Sequence, residues 1–254
     1  RVDLGQHHSP HAGLVPAPLP LPAPLGGRDA YVEQIARMLD SAHAKVLIGP
    51  AGMKDWVAEV AAKAPLNFAG ALADLPDSKG DALPDVAPDN TCYLQFSSGS
   101  TRFPTGVVVT HRALMANAVA ITRDGLQVRP SDRAVSWLPL YHDMGLIGFL
   151  LSPMTSQMSV DLLPTGAFVR RPLLWLDLIT RNGGTISYSP TFGYELCARR
   201  AEVASIEHLD LSQWRSAGLG GDMIRTGPLR AFAERFAGVG FSDKAFVASY
   251  GMAE

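Results

Sequence analysis

From residue 92 to residue 249 the chain alternates short apolar runs with longer amphipathic ones, which constrains the fold more than any other feature. Residues 92–96, 107–109, 134–138, 158–163, 185–188, 215–219 and 245–249 read as strands: each is brief, apolar and bounded by polar or glycine-rich residues. Between them, Ala113, Leu114, Ala118 and Ile121 share a helical face. So do Leu173, Leu174, Leu178 and Ile179, residues 194–201, and Leu229, Phe232 and Phe236; residues 146–151 form an apolar helix. Repeated strand–helix units predict an α/β fold with a largely parallel sheet covered by helices on both faces.

Upstream the pattern is looser. Pro16, Pro18, Pro20, Pro22 and Pro24 alternate with apolar residues, which favours an extended connector crossing a surface. Asp29 is placed to cap a helix carrying Val32, Ile35, Met38 and Leu39. Residues 45–49 read as a strand, Trp56, Val57 and Val60 as helical, and 75–90 as a surface loop rich in Asp, Pro, Ser and Gly. Residues 1–11 hold three histidines, a compositional hint of metal binding, but read better as a ragged terminus or expression remnant.

Charge and cysteine content narrow the function. The net charge is −2 and no Lys/Arg block exists, so a nucleic-acid footprint is not expected. Lysine occurs only at 45, 54, 63, 79 and 244; any anion site between the last two must use arginine, backbone or metal. Cys92 and Cys197 sit in apolar surroundings and read as buried thiols rather than a disulfide. The longest apolar stretch, 146–163, is broken by Ser152, Pro153, Thr155, Ser156, Gln157 and Asp161, so no membrane span is expected. No secretory leader is visible, and a reducing cytoplasm is the expected compartment.

In parallel sheets, sites gather beyond the strand C-termini. Four loops there are unusual: 97–106, 139–145, 218–222 and 249–254. The first is rich in hydroxyls and glycine, able to offer O–H and N–H donors to a polyanion. It lacks the Gly-Lys-Ser/Thr of a Walker loop and the Gly-x-Ser-x-Gly of a nucleophile elbow, and a plain Ser/Gly linker is the competing reading. His142-Asp143 could be a metal pair, but no further His/Asp set at ligand spacing accompanies it and a lone histidine at a strand end is usually structural; Gly220-Gly221 could be a simple tight turn.

Taken together and in order, these loops resemble the signatures of the adenylate-forming superfamily. Ser97-Ser98-Gly99-Ser100-Thr101 through Pro104 and Gly106 resembles its phosphate-binding loop. Tyr250-Gly251-Met252-Ala253-Glu254 resembles its Tyr-Gly-x-Thr-Glu motif, with alanine for threonine. Within the superfamily the chain is most similar to the fatty acyl-AMP ligases, through Trp137-Leu138-Pro139-Leu140-Tyr141-His142-Asp143-Met144-Gly145-Leu146, Arg171-Pro172 and Phe232-Ala233-Glu234-Arg235-Phe236. Two loops depart from the superfamily. In the first, Arg102 stands for the usual glycine and Thr105 for the usual lysine, the second a departure that acyl-AMP ligases share; in the third, Gly221-Asp222 replaces Ala-Glu.

The resemblance implies that residues 12–254 are part of the N-terminal domain of an adenylate-forming enzyme, truncated at both ends and lacking the C-terminal domain. The activity implied is ATP-dependent activation of a fatty acid to acyl-adenylate with release of pyrophosphate, and transfer to an acyl carrier protein. The alternatives are transfer to CoA, or a non-catalytic nucleotide- or acyl-binding relative. By the same resemblance Ser97, Ser98, Gly99, Ser100, Thr101, Arg102 and Gly106 hold the phosphates. Gly220, Gly221 and Asp222 line the adenine, and Ser249, Tyr250, Gly251, Met252 and Ala253 complete the nucleotide site, with Tyr250 stacked on the base. His142 sits by the carboxylate and α-phosphate, Thr101 and Glu254 hold Mg²⁺, and Phe192, Met144 and Leu146 are candidates for the acyl tunnel. The ribose-binding Asp and the catalytic Lys of the family lie downstream of its Glu motif, so this chain by itself is expected to be inactive. In the full-length enzyme, Thr101→Ala should weaken ATP use more than Thr105→Ala, read as the ATP KM in steady-state adenylation; equal and negligible effects would count against the phosphate loop.

Overall fold

The computed structural model describes residues 14–22, 27–75, 85–97 and 105–253. They divide into two compact units, Arg1–Leu114 with Ala253–Glu254, and Met115–Met252.

In the first unit α1 (Arg28–Ser41) buries Val32, Ile35, Met38 and Leu39, the face that their spacing predicts. Asp29 lies in the first turn and does not cap it; the N-cap is Gly27, which has no side chain to bond the free N–H groups. β1 (Val46–Ile48) pairs in parallel with β2 (Phe68–Gly70), a strand that the sequence reading missed because Phe68-Ala69-Gly70 is too short to show a period of two. α2 (Lys54–Ala61) adds Val57 and Val60 to a core shared with Leu47 and Phe96. The proline-rich connector is held at two carbonyls: Leu94 N–H donates to Pro16 O at 2.9 Å, and Tyr31 Oη to Pro20 O at 3.0 Å; Pro24 lies outside the described residues.

β3 (Thr91–Phe96) and β4 (Gly106–Thr110) pair antiparallel, with Phe96 opposite Gly106. The two strands therefore form a hairpin, and residues 98–104 of the hydroxyl-and-glycine stretch between them lie outside the described residues. A register shift between Thr91 and Tyr93 explains why Cys92 and Tyr93, adjacent in sequence, are both buried. α3 (His111–Val119) follows, and its end widens into π-type turns over Ala120–Gly125.

The second unit is a 5-stranded parallel sheet in the order β6-β5-β7-β8-β9: β5 (Arg133–Ser136), β6 (Ser159–Leu162), β7 (Ile186–Ser189), β8 (Ser216–Leu219) and β9 (Phe246–Ala248). Between β5 and β6 lie α4 (Asp143–Leu146), π-type turns over Ile147–Leu151, and α5 (Ser152–Ser156). α6 (Thr165–Arg170) and α7 (Leu173–Asn182) precede β7; α8 (Thr191–Ala201) and α9 (Thr226–Phe236) flank β8. The path runs outward from β5 to β6 and then back past β5 to β7. Right-handed crossovers therefore put α4 and α5 on one face and α6 to α9 on the other. Tyr188 and Ser187, neighbours on β7, confirm the two faces: the Tyr188 ring lies 5.9 Å from Phe149, while Ser187 bonds Trp175 of α7. Trp137, Phe168, Tyr194 and Trp214 surround Trp175 at centroid distances of 5.1–6.3 Å, an interlocked aromatic core. Cys92 and Cys197 are free and buried, as expected. Among the described residues no helix is long and apolar enough to cross a membrane.

A partly buried ion pair closes the opposite, N-terminal edge of this sheet. Arg215 meets both oxygens of Asp132 (Nε–Oδ1 2.9 Å, Nη2–Oδ2 2.5 Å), and Thr185 Oγ1 donates to Oδ1 at 2.8 Å. Burial alone would raise the Asp132 carboxyl, but hydrogen bonds from Arg215, the Arg129 N–H and Thr185 outweigh it and hold the value at about 2, against 3.8 ordinarily. The folded value lies below the unfolded one, so this stabilisation is complete above about pH 4 and fades as the pH falls through about 2. Asp132→Asn should therefore cost about 2 kcal/mol at pH 7, since Arg215 loses a charged acceptor. Denaturant titrations should show the gap from wild type narrowing between pH 4 and pH 2; a constant gap would contradict the assignment.

Candidate functional site

β5 has β6 on one side and β7 on the other, and the chain reverses direction across it. In an open parallel sheet, the crevice outside the strand C-termini at such a reversal is where neighbouring loops part and a ligand can enter. Four connections border it: 137–145 after β5, 190 after β7, 220–225 after β8 and 249–252 after β9.

The first connection folds back on itself. His142 N–H donates to Pro139 O at 3.1 Å, and Leu146 N–H to His142 O at 2.8 Å. A side chain at Gly145 would put its Cβ 2.2 Å from Pro139 O, so only glycine lets α4 sit this close to the strand end. The fold-back brings out His142 and Asp143. Their side chains meet at 2.6 Å, Nδ1 to Oδ1. Met144 N–H has two acceptors in reach, Asp143 Oδ1 at 2.6 Å and His142 Nδ1 at 3.2 Å. The carboxylate is nearer and charged, so it takes that proton, and Nδ1 carries its own proton to Oδ1. Nε2 is then the ring nitrogen that Asp143 leaves uncommitted. The bond to Asp143 raises the His142 imidazolium above its ordinary value despite partial burial, and the Asp143 carboxyl is lowered by the same bond.

The other connections close around it. A Cβ built on Gly220 would lie 3.3 Å from Met144 Sδ and 3.4 Å from Ser249 O; one on Gly221 would lie 3.3 Å from Met144 Cε, and 3.9 Å from both His142 Cε1 and Pro190 Cγ. The loops after β5, β7, β8 and β9 thus meet at one point. Gly221 has φ +71°, a left-handed conformation that glycine alone adopts without strain. Ser249 N–H donates to Leu219 O at 2.8 Å, extending the β8–β9 ladder up to Tyr250. Tyr250 is 91% exposed, its ring free to be covered by a flat ligand. Asp222, Gly251 and Met252 are exposed as well. Phe192, 40% exposed, stands at 5.7 Å from the buried Trp137, while Leu146 is buried.

Of the residues expected to form the site, His142, Gly220, Gly221 and Ser249 come together, with Asp222 and Tyr250 beside them in the chain. The acyl-tunnel candidate Met144 lies against both glycines. Ser97 and Gly106 belong to the first unit and flank the hairpin loop. Ser97 N–H donates to Thr105 O at 2.9 Å, and Thr105 N–H to Ser97 Oγ at 3.2 Å, so Ser97 closes the loop and keeps its hydroxyl proton to donate. Ser98, Gly99, Ser100, Thr101, Arg102 and Glu254 lie outside the described residues. Both Mg²⁺ candidates are among them, and among the described residues no group of three His, Cys, Asp or Glu could hold a metal ion. Sequence reasoning missed Pro190 and the orienting role of Asp143. The rule of strand ends could have found the first; the second needed the fold-back at Gly145.

The bond between His142 and Asp143 carries a test. Asp143→Asn removes the charge that favours the imidazolium, so the His142 titration followed by NMR should move down toward the ordinary value of about 6.5. An unchanged midpoint would show that Asp143 does not bond the ring.

Three similarities complete the picture. Over 244 residues the chain is 73% identical to a Caulobacter vibrioides protein named as a candidate acyl-CoA synthetase, covering 96% of this chain and 43% of that one. A solved structure from work on fatty acyl-adenylate ligases of E. coli and L. pneumophila superposes with a TM-score of 0.88 at 44% identity, over 95% of this chain and 44% of its own. Another, the L. pneumophila fatty acyl-adenylate ligase in complex with acyl adenylate and pyrophosphate, gives a TM-score of 0.84 at 30% identity, over 95% and 42%. The chain thus spans about two fifths of the length of the relatives it matches. Residues 11–254 match the AMP-binding enzyme family, and with the motif order and the parallel-sheet architecture this establishes that the chain belongs to that family of adenylate-forming ligases.

Proposed function

We propose that the whole protein activates a fatty acid as its acyl-adenylate and then passes the acyl group to the phosphopantetheine thiol of an acyl carrier protein. The observation that carries this reading is the approach of the His142 imidazole to Gly221 at the sheet reversal. It puts an imidazole whose protonated form is favoured by Asp143 next to two residues that add no side chain of their own.

In the first half-reaction a carboxylate oxygen attacks the α-phosphorus of ATP. The bond from that phosphorus to the bridging oxygen breaks, and pyrophosphate leaves with the electron pair. A fatty acid is already ionised at neutral pH, so the step needs no general base. It needs two anions held together and their charge offset. His142, with Nδ1 bonded to Asp143, would donate from Nε2 to the carboxylate and the α-phosphoryl oxygens. Gly220, Gly221 and Asp222 would border the adenine, Tyr250 would cover its face, and Ser249, Gly251, Met252 and Ala253 would carry the chain past the sugar. The loop from Ser97 to Gly106 would hold the departing phosphates through hydroxyls, N–H groups and Arg102, since it has no lysine. Mg²⁺, held by Thr101 and Glu254, would offset the phosphate charge. Phe192, at the exposed edge of the aromatic cluster, would touch the acyl chain. In the second half-reaction the thiol sulfur attacks the acyl carbonyl and AMP leaves.

A second reading keeps the first half-reaction and makes CoA the acceptor, favoured by the 73% identity to a candidate acyl-CoA synthetase. The full-length protein with a panel of fatty acids should catalyse acid-dependent exchange of labelled pyrophosphate into ATP. His142→Ala should lower its kcat about 100-fold, the loss of one charge-stabilising donor. Supplying holo carrier protein or CoA to the preformed adenylate then separates the acceptors. A clean absence of exchange across the panel would favour a non-catalytic binding relative instead.

A further inference from the structure

Thr191 is the first residue of α8, yet its hydroxyl does not serve its own helix. Oγ1 reaches the far side of the crevice, donating to Met223 O at 3.2 Å and accepting from Arg225 N–H at 3.4 Å. Thr191 is 1% exposed, so neither bond is shared with solvent at that end. One turn on, at the i+3 and i+4 positions of the same helix face, two more side chains grip the same segment. Tyr194 Oη donates to Gly218 O at 2.9 Å, within β8. Glu195 Oε2 accepts from Arg225 Nη2 at 2.8 Å. Pro190, just before the helix, packs toward Gly221. One face of α8 therefore holds the chain at the end of β8, in the middle of the following loop and at the start of α9.

The loop needs such a hold. Residues 221–225 are exposed, and Gly221 gives the backbone its most permissive conformation. Left to itself, a short exposed stretch around glycine samples many arrangements, and ordering it on ligand binding costs entropy. The Thr191 hydroxyl meets one orphan carbonyl and one orphan N–H at once, which a single donor-acceptor group can do.

We propose that Thr191, assisted by Glu195, is a positioning residue for the nucleotide end of the site: it holds residues 220–225 in the one arrangement that presents Gly220, Gly221 and Asp222 to the adenine. The inference rests on the adenylate-forming reading above. It assigns the β7–α8 junction to nucleotide affinity, although that reading gives the neighbouring Phe192 to the acyl chain.

The test uses the full-length enzyme and separates KM from kcat. Thr191→Val keeps the shape and removes the hydroxyl; the Met223 carbonyl and Arg225 N–H are then free to turn to water, and the loop loosens. The ATP KM should rise about tenfold, the loss expected for one buried hydroxyl group with two partners. The kcat and the fatty-acid KM should stay within about threefold. Thr191→Ser, which keeps the hydroxyl, should restore the ATP KM. Glu195→Gln, a change on the surface that does not threaten folding, should raise the ATP KM by about threefold at low salt and less at high salt. An ATP KM unchanged in both Thr191→Val and Glu195→Gln overturns the proposal. So does a serine variant as impaired as the valine one, or a parallel fall of kcat and both affinities. A wild type without pyrophosphate exchange fails differently: it overturns the adenylation reading itself and takes the positioning role down with it.

Discussion

The Ser187 hydroxyl is the joint on which the second unit depends. It is 1% exposed, accepts from Trp175 Nε1 at 2.8 Å and donates to Val135 O at 2.5 Å. One side chain thus ties α7, β7 and β5 together where the chain reverses across the sheet. The β5–β7 ladder there has a single paired position, Ala134 with Ile186. Side chains reinforce it: Arg133 N–H donates to Thr185 Oγ1 at 3.0 Å, below Ser187. Buried polar groups destabilise a core unless they are bonded, and here each bonded group spans two elements. The aromatic rings around Trp175 then fill the space that the joint defines.

The two ends of this sheet illustrate how one architecture serves two purposes. At the N-terminal edge, Asp132, Thr185 and Arg215 satisfy one another, and the charge is spent within the protein. At the C-terminal edge, the polar groups are only partly satisfied. His142 has one nitrogen committed to Asp143. Gly220 and Gly221 add no side chain of their own, and Tyr250 is exposed. This edge leaves an imidazole nitrogen and an exposed aromatic ring uncommitted, whereas at the opposite edge the charged groups are paired with one another.

Much of the fold was legible because the signals were local. The period of Val32, Ile35, Met38 and Leu39 read as α1, and the apolar runs of β5, β7 and β8 read as strands. What escaped was short or depended on partners. β2 is three residues long. Asp29 looked like a cap by residue type, but the helix begins one residue earlier, at Arg28. The candidate site was legible as four loops and as a resemblance to a family, because motif residues recur in fixed order. Their meeting was not legible: Gly221 and His142 are far apart in sequence, and nothing local says that a Cβ on one would lie 3.9 Å from the other.

By itself, the sequence determined the class of fold, through the alternation of buried strand and amphipathic helix, and the absence of a lysine from the hydroxyl-rich loop. It also determined where the backbone stays bare, since Gly145 and Gly221 carry no side chain whatever shape the chain takes. Only the tertiary structure decided what those residues are for. Strand order set the reversal at β5, close approach at Pro139 fixed the fold-back that carries His142 to Gly221, and the Thr191 hydroxyl found its partners 32 and 34 positions away. The reason is physical. Hydrophobic periodicity is a property of neighbours along a chain, whereas hydrogen-bond satisfaction and steric exclusion at a site are properties of neighbours in space.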